Sequence, residues 1–239
     1  MNMKTRKFVV KSLVFALILG LFVSCISWPD FRINNASQPS APQTAVSPSV
    51  FRTAPASLVT IAPERPERTP IPQIPENIMG RGLVPARDLS EFLLTVNPNA
   101  DRSYVESLAF IYIEEAAAEG VNHDVAFVQM CLETGFLRFG NLVTVDQNNF
   151  AGLGATGPGN PGLFFDTPRI GVRAQIQHLK AYACTSPLNQ ELVNPRYRFV
   201  RRGSSPTIKG LAGTWAADPA YADKINAILE RLYEFSFGG

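Results

Sequence analysis

Gln129 and Glu133 are the residues whose types and spacing point most directly to chemistry. Four apart, they share one face of a helix. Glu133 falls in the last turn before Gly135, where the carbonyl end of a helix disfavours negative charge. Phe136 and Phe139 follow closely enough to desolvate it. Both effects raise a carboxyl pKa. A carboxyl that stays protonated near neutral pH can donate to a leaving oxygen. The plainer alternative is a solvated glutamate at a helix end. Downstream, Asp146, Gln147, Asn148, Asn149 and Phe150 gather amides and an aromatic ring in a glycine-rich stretch. Amides suit sugar hydroxyls and acetamido groups, and a ring can stack on a sugar face; an Asn-rich turn is the alternative. The glycines of GLGATG miss the dinucleotide-binding frame, and no convincing strand precedes them. His123 and His178 stand in separate helical contexts without zinc-type spacing, and no Gly-x-Ser-x-Gly elbow occurs. Neither a metal nor another cofactor is expected.

The elements that position these groups read as helices. Ser103 with Glu106 resembles a capping box. Val105, Leu108, Ala109, Tyr112 and Ala116 then mark one face of a helix that stops at Gly120. A second helix runs from Asn122 to Gly135 and turns Val125, Val128 and Leu132 inward. Residues 141–165 hold five glycines and two prolines, which favour a short β-hairpin or an ordered loop. Thr167-Pro168 reads as the start of a third helix with Val172, Ile176, Leu179 and Ala183 buried. Residues 185–206 look loop-like. Asp218-Pro219 opens a last helix with Tyr221, Ile225, Ile228, Leu229 and Leu232 facing in. The expected fold class is mainly α with a short β-hairpin or irregular insert.

Around this domain the 239 residues divide unevenly. The net charge of +2 is misleading, because residues 1–24 carry four basic side chains and no acidic one. The remainder has 18 basic and 20 acidic groups, which gives no support for a nucleic-acid surface. Lys4 to Lys11, the apolar run Leu13–Val23 and Ser24-Cys25 read as an export signal, too short to span a bilayer comfortably. The cysteine after the small residue resembles a bacterial lipoprotein signal, with Cys25 as the lipid attachment point. Plain secretion, or an uncleaved anchor, is the alternative. From Asn35 to Glu76 lie nine of the nineteen prolines, so residues 25–78 read as an extended tether and 79–239 as the folded domain. Cys131 and Cys184 allow either a disulfide or two buried thiols.

Three blocks, in order, resemble the bacterial peptidoglycan endo-β-N-acetylglucosaminidases of glycoside hydrolase family 73, within the lysozyme-like superfamily. They are Phe127–Phe136 (FVQMCLETGF), Asn148–Gly154 (NNFAGLG) and Trp215–Ile225 (WAADPAYADKI). The resemblance covers most of residues 90–235. It implies a lysozyme-like helical domain, Glu133 as general acid, Tyr221 beside the reacting sugar, and Asn149 and Phe150 in the cleft wall. Without it, Tyr221 reads as a core aromatic, and Trp215 as either core or a sugar platform. Gln129, Asp146 and Trp215 complete the set of supporting residues. The implied substrate is the peptidoglycan glycan strand, cut between N-acetylglucosamine and N-acetylmuramic acid. With the signal read above, the expected protein is a monomer, exported, and anchored through Cys25 in a membrane facing the wall or periplasm. One departure stands out: the stretch ATGPGNPGLFFDT contains no Glu where many members carry a second acid. Asp146 or Asp166, or the substrate's own N-acetyl group, are the options for the second participant. A lytic transglycosylase, a muramidase and a non-catalytic wall-binding lipoprotein remain as alternatives.

Overall fold

The computed structural model describes residues 70–140, 142–157 and 159–239. The export signal, Cys25 and most of the tether lie outside the described residues. Five helices carry the domain: α1 (Ala86–Val96), α2 (Arg102–Glu119), α3 (His123–Thr134), α4 (Pro168–Ala183) and α5 (Tyr221–Phe237). Between α3 and α4 lies one small antiparallel pair, β1 (Ala155–Gly157) and β2 (Asn160–Pro161). The fold is mainly α with a small β insert, in keeping with a lysozyme-like domain.

Helix α3 is the hub. Every residue from His123 to Cys131 is buried, because α2, α4 and α5 all pack against it. A helix covered on all sides needs no amphipathic stripe, so Val125 and Val128 are only part of its buried surface. Its ends follow the capping signals. The Asn122 side chain accepts from the N–H groups of Asp124 and Val125. Gly135 closes the helix in the left-handed region at φ 60°. The fully buried Asp124 carboxylate accepts from Leu83 N at 2.7 Å, Val84 N at 3.2 Å and the Tyr233 hydroxyl at 2.8 Å. It thereby ties the first turn of α3 to the strap before α1 and to α5.

Helix α4 is fixed to α2 by charge. Buried Glu119 accepts from Lys180 Nζ at 2.7 Å and from the backbone of Asn189 and Gln190. Glu115 accepts from Arg169 and Arg173. Thr167 caps α4 and Pro168 follows it, as expected. Val172, Ile176, Leu179 and Ala183 are buried.

The structure differs from the sequence reading in four places. The cap of α2 is Asp101, not Ser103: its carboxylate takes Tyr104 N at 2.7 Å and the Ser103 hydroxyl at 2.7 Å. Helix α5 begins at Tyr221, because the Asp218 carboxylate first closes a turn on Ala220 N. Helix α1, with Pro85 as its N-cap, was not foreseen. The packed domain also starts before Met79. Ile78 is fully buried and bonds to Pro206 and Asn122, while Glu76 accepts from Ile208. Cys131 and Cys184 are both free thiols.

Candidate active site

The last turn of α3 delivers Glu133 to the wall of a cleft of about 310 Å³. Thr134, Phe139, Asn149, Ala151 and Trp215 are among the other residues that line it. The chain beyond Glu133 turns back sharply. Phe136, Leu137 and Phe139 all adopt left-handed backbone, at φ 59°, 61° and 54°. Such a run is strained for residues with a Cβ. It is held by Phe136 N on Cys131 O at 2.7 Å, Leu137 N on Thr134 Oγ1 at 2.9 Å and Phe139 N on Thr134 O at 2.8 Å. Asn97 also donates to the Phe136 carbonyl at 2.8 Å. The turn sends Phe136 into the core against Phe92 and leaves Phe139 at the cleft. Only one of the two expected desolvating rings therefore faces the cleft.

Glu133 is partly buried, and one of its oxygens is doubly held. Oε1 accepts from the Tyr221 hydroxyl at 2.5 Å and from Trp215 Nε1 at 3.0 Å. Burial raises its pKa, and the hydrogen bonds from Tyr221 and Trp215 partly offset that rise. Tyr221, the first residue of α5, is itself pushed well above the ordinary tyrosine range by burial and by Glu133. It stays a hydroxyl and therefore a donor.

Behind Tyr221 runs a buried polar chain. Gln129 Nε2 donates to Tyr221 Oη at 3.0 Å, and Gln175 Nε2 donates to Gln129 Oε1 at 2.9 Å. The Tyr112 hydroxyl donates to Gln175 Oε1 at 2.6 Å. Gln129, Gln175 and Tyr112 are all fully buried. The direction of this chain has a physical origin. Gln175 Nε2 also meets the Ala126 carbonyl at 3.0 Å, and a carbonyl can only accept. That contact assigns the amide end of Gln175, which in turn assigns Gln129. The Tyr221 oxygen then receives a hydrogen bond from Gln129, and its proton points at Glu133. Gln129 therefore bonds to Tyr221 from within the core and does not line the cleft. Gln175 and Tyr112 belong to the same chain and were missed in the sequence, where neither was distinguished from its apolar stripe.

Asn149 lines the cleft but works as a clamp. Its Nδ2 donates to the carbonyls of Leu153 and Leu163, and its Oδ1 accepts from Leu153 N at 2.8 Å. It shapes the hairpin that forms one wall. Phe150 is a correction: 1% exposed, it packs edge-on against Tyr112 in the core and is absent from the cleft wall. Gly171 permits this arrangement, since a Cβ there would sit 1.8 Å from the Asn148 carbonyl oxygen. Asp146 and Asp166 are corrections too. Asp146 is exposed and accepts from the Thr144 hydroxyl; Asp166 is exposed before the Thr167 cap; neither lines the cleft. Among the described residues, Glu133 is the single carboxylate on the cleft wall. The Trp215 ring is half-buried, with His178 edge-on at 5.1 Å and Tyr182 at 5.8 Å.

A carboxyl on a cleft wall, desolvated and held by two donors on one oxygen, is suited to giving up a proton from its other oxygen. Residues 109–234 match the family model "Glucosaminidase: Mannosyl-glycoprotein endo-beta-N-acetylglucosaminidase". An uncharacterized protein of Borreliella burgdorferi is 43% identical over 159 residues, which is 66% of this chain and 78% of that protein.

Proposed function

The chain belongs to the mannosyl-glycoprotein endo-β-N-acetylglucosaminidase (glucosaminidase) family, and from that premise we propose that it cuts peptidoglycan glycan strands at N-acetylglucosamine to N-acetylmuramic acid linkages. Family membership supports a glycoside hydrolase acting on peptidoglycan; the choice of bond and the role of Glu133 are our reading. The observation that carries it is the doubly held Glu133 Oε1.

With both donors on Oε1, the acidic proton resides on Oε2. Glu133 gives it to the glycosidic oxygen as the bond to the anomeric carbon breaks. The carboxylate left behind is stabilised by the Tyr221 hydroxyl and the Trp215 N–H, both already in place. These bonds strengthen as charge develops on Glu133, so they favour the transition state over the ground state. Water, or a group of the substrate, then completes the anomeric carbon.

One observation favours a second reading. The cleft wall carries a single carboxylate among the described residues, and a two-carboxylate hydrolase needs a base or nucleophile as well. A lytic transglycosylase, in which the muramoyl hydroxyl closes on its own anomeric carbon, needs only Glu133. Digestion of purified peptidoglycan, with products reduced and read by mass spectrometry, decides between them. Reduced N-acetylglucosamine ends are expected. Reduced muramic ends would make the protein a muramidase, and anhydromuramic ends would make it a transglycosylase. Binding without cutting across the pH range would leave a wall-binding module.

We further propose that the protein is exported and anchored through a lipid on Cys25. Cys25→Ala should move it from the membrane fraction to the soluble fraction. Unchanged membrane association would refute the anchor.

A further inference from the structure

We propose that the arginine-rich loop Asn194–Arg202 is a binding surface for carboxylates on the peptide branches of the glycan strand. This rests on the peptidoglycan reading above.

Unbalanced positive charge is concentrated here as nowhere else in the domain. From Leu192 to Ala217 the chain carries Arg196, Arg198, Arg201, Arg202 and Lys209, and no Asp or Glu. The whole chain after residue 24 has more acidic than basic groups, so the cluster is local. Among the described residues no carboxylate pairs with any of these four arginines. Arg202 is spent on structure, since its guanidinium caps the carbonyls of Thr185 and Ser186. Arg196, Arg198 and Arg201 are exposed.

Two of them are pre-arranged. The Arg196 and Arg198 guanidinium carbons lie 5.0 and 4.8 Å from the centre of the Phe199 ring, which is 62% exposed. A ring that holds two guanidinium groups reduces the side-chain entropy each would lose on binding. The planar guanidinium fork matches a carboxylate with two parallel hydrogen bonds.

Position selects the partner. Asn194, at the start of the loop, bonds to the His178 ring at 2.9 Å, and its side-chain oxygen takes Arg196 N at 2.8 Å. The His178 ring packs 5.1 Å from Trp215, which in turn bonds to Glu133. Burial and the Arg196 charge together push His178 down to about 4, so it adds no charge of its own here. The loop therefore fans out from behind the Trp215 wall of the cleft. A strand lying in that cleft carries peptide branches whose four or five residues span roughly 15 Å when extended. Their carboxylates can reach the loop while the sugars stay at Glu133. An anionic lipid surface offers similar charge, but nothing aligns it with the cleft.

The test is pelleting of the full chain with insoluble peptidoglycan, in a Glu133→Gln background so that nothing is digested. Arg196→Gln, Arg198→Gln and Arg201→Gln are added together, and a thermal melt checks folding. Binding to peptide-bearing wall should weaken roughly tenfold, while binding to peptide-free glycan strands, released by an amidase and immobilised on resin, should change less than twofold. The salt dependence of binding to peptide-bearing wall should fall with it. Equal binding of both proteins to peptide-bearing wall would overturn the proposal. So would a loss confined to phosphatidylglycerol vesicles, which would assign the loop to lipid headgroups. The readout is binding, so absence of cutting by the unmodified chain would fault the catalytic reading and leave this result standing.

Discussion

Tyr221→Phe removes one hydroxyl and tests the arrangement around Glu133 most directly. Tyr221 donates at 2.5 Å to Glu133 Oε1, and Trp215 donates to the same oxygen at 3.0 Å. Burial raises the carboxyl pKa, and these two bonds oppose it, with Tyr221 the stronger. A hydrogen bond to a charged acceptor contributes about 1.5–3 kcal/mol. At about 1.4 kcal/mol per unit, its loss should raise the Glu133 pKa by roughly one to two units. A general acid works in its protonated form, so activity is lost as pH rises through that pKa. The basic limb of the kcat/KM profile should therefore move upward by the same roughly one to two units. The maximal rate should fall about 10- to 100-fold, because the developing carboxylate loses a donor. The assay is the initial rate of wall clearing across pH, with product analysis at each end. Trp215→Phe should shift the limb in the same direction by less. A basic limb that stays in place, or moves to lower pH, in Tyr221→Phe would refute the role given to this hydrogen bond.

Glu133→Gln should abolish cutting and stabilise the fold. A folded pKa above the unfolded one means that stability falls as pH rises from the unfolded value through the folded one, so the ionised group costs stability at neutral pH. Removing the charge should raise Tm by about 2–4 °C at pH 7; a lower Tm would contradict the burial argument. Gln175→Met should destabilise by about 2–4 kcal/mol in denaturant titration, since it strands the Tyr112 hydroxyl and Gln129 Oε1 in the core. It should also lower kcat more than it changes KM, whereas a purely structural Gln175 would leave the folded enzyme's kcat unaltered. Gly171→Ala should cost several kcal/mol, because the Asn148 carbonyl must retreat from the new methyl group; a melt within a degree of the parent would show that α4 and the loop part easily. In native protein, iodoacetamide should label Cys184 faster than Cys131, whose thiol is fully buried and pushed far up by that burial. Equal rates by mass spectrometry would mean that α3 opens readily.

Local signals located the ends of elements better than they located partners. Asn122 and Gly135 bracket α3, and Thr167-Pro168 starts α4, because capping is chemistry within a few residues. Asp101 reaches Tyr104 N and takes the Ser103 hydroxyl as well, so Ser103 is left as a supporting donor. Helix α1 escaped because Pro85 offers no side-chain oxygen as a cap. Glu133 was legible from its place at a helix end beside apolar residues. Its partners were not, since Trp215 and Tyr221 lie 82 and 88 residues away in the chain; the family resemblance, not the spacing, pointed to Tyr221.

The remaining groups were illegible for a more specific reason. Phe150 reads as a sugar platform in its loop, yet Gly171 lets α4 approach so closely that the ring is driven onto Tyr112 in the core. Gln175 reads as one more residue beside the Val172 and Ile176 stripe. Its role depends on the Ala126 carbonyl, a backbone group that every residue possesses and no sequence pattern marks. That carbonyl orients Gln175, which orients Gln129, which leaves the Tyr221 proton no direction but toward Glu133. Substituting Gln175 by Glu tests this sense of direction directly. A carboxylate facing the Ala126 carbonyl and Gln129 Oε1 meets two acceptors, so it must either take up a proton or force the Gln129 amide to turn. Turning Gln129 would present its oxygen to Tyr221, draw the tyrosine proton away from Glu133 and raise the Glu133 pKa. The basic limb of the activity profile should then move upward as it does in Tyr221→Phe, although Tyr221 itself is untouched. An unmoved limb, with the new carboxyl shown by infrared spectroscopy to be ionised, would mean that the orientation of the Gln129 amide is not transmitted to Glu133.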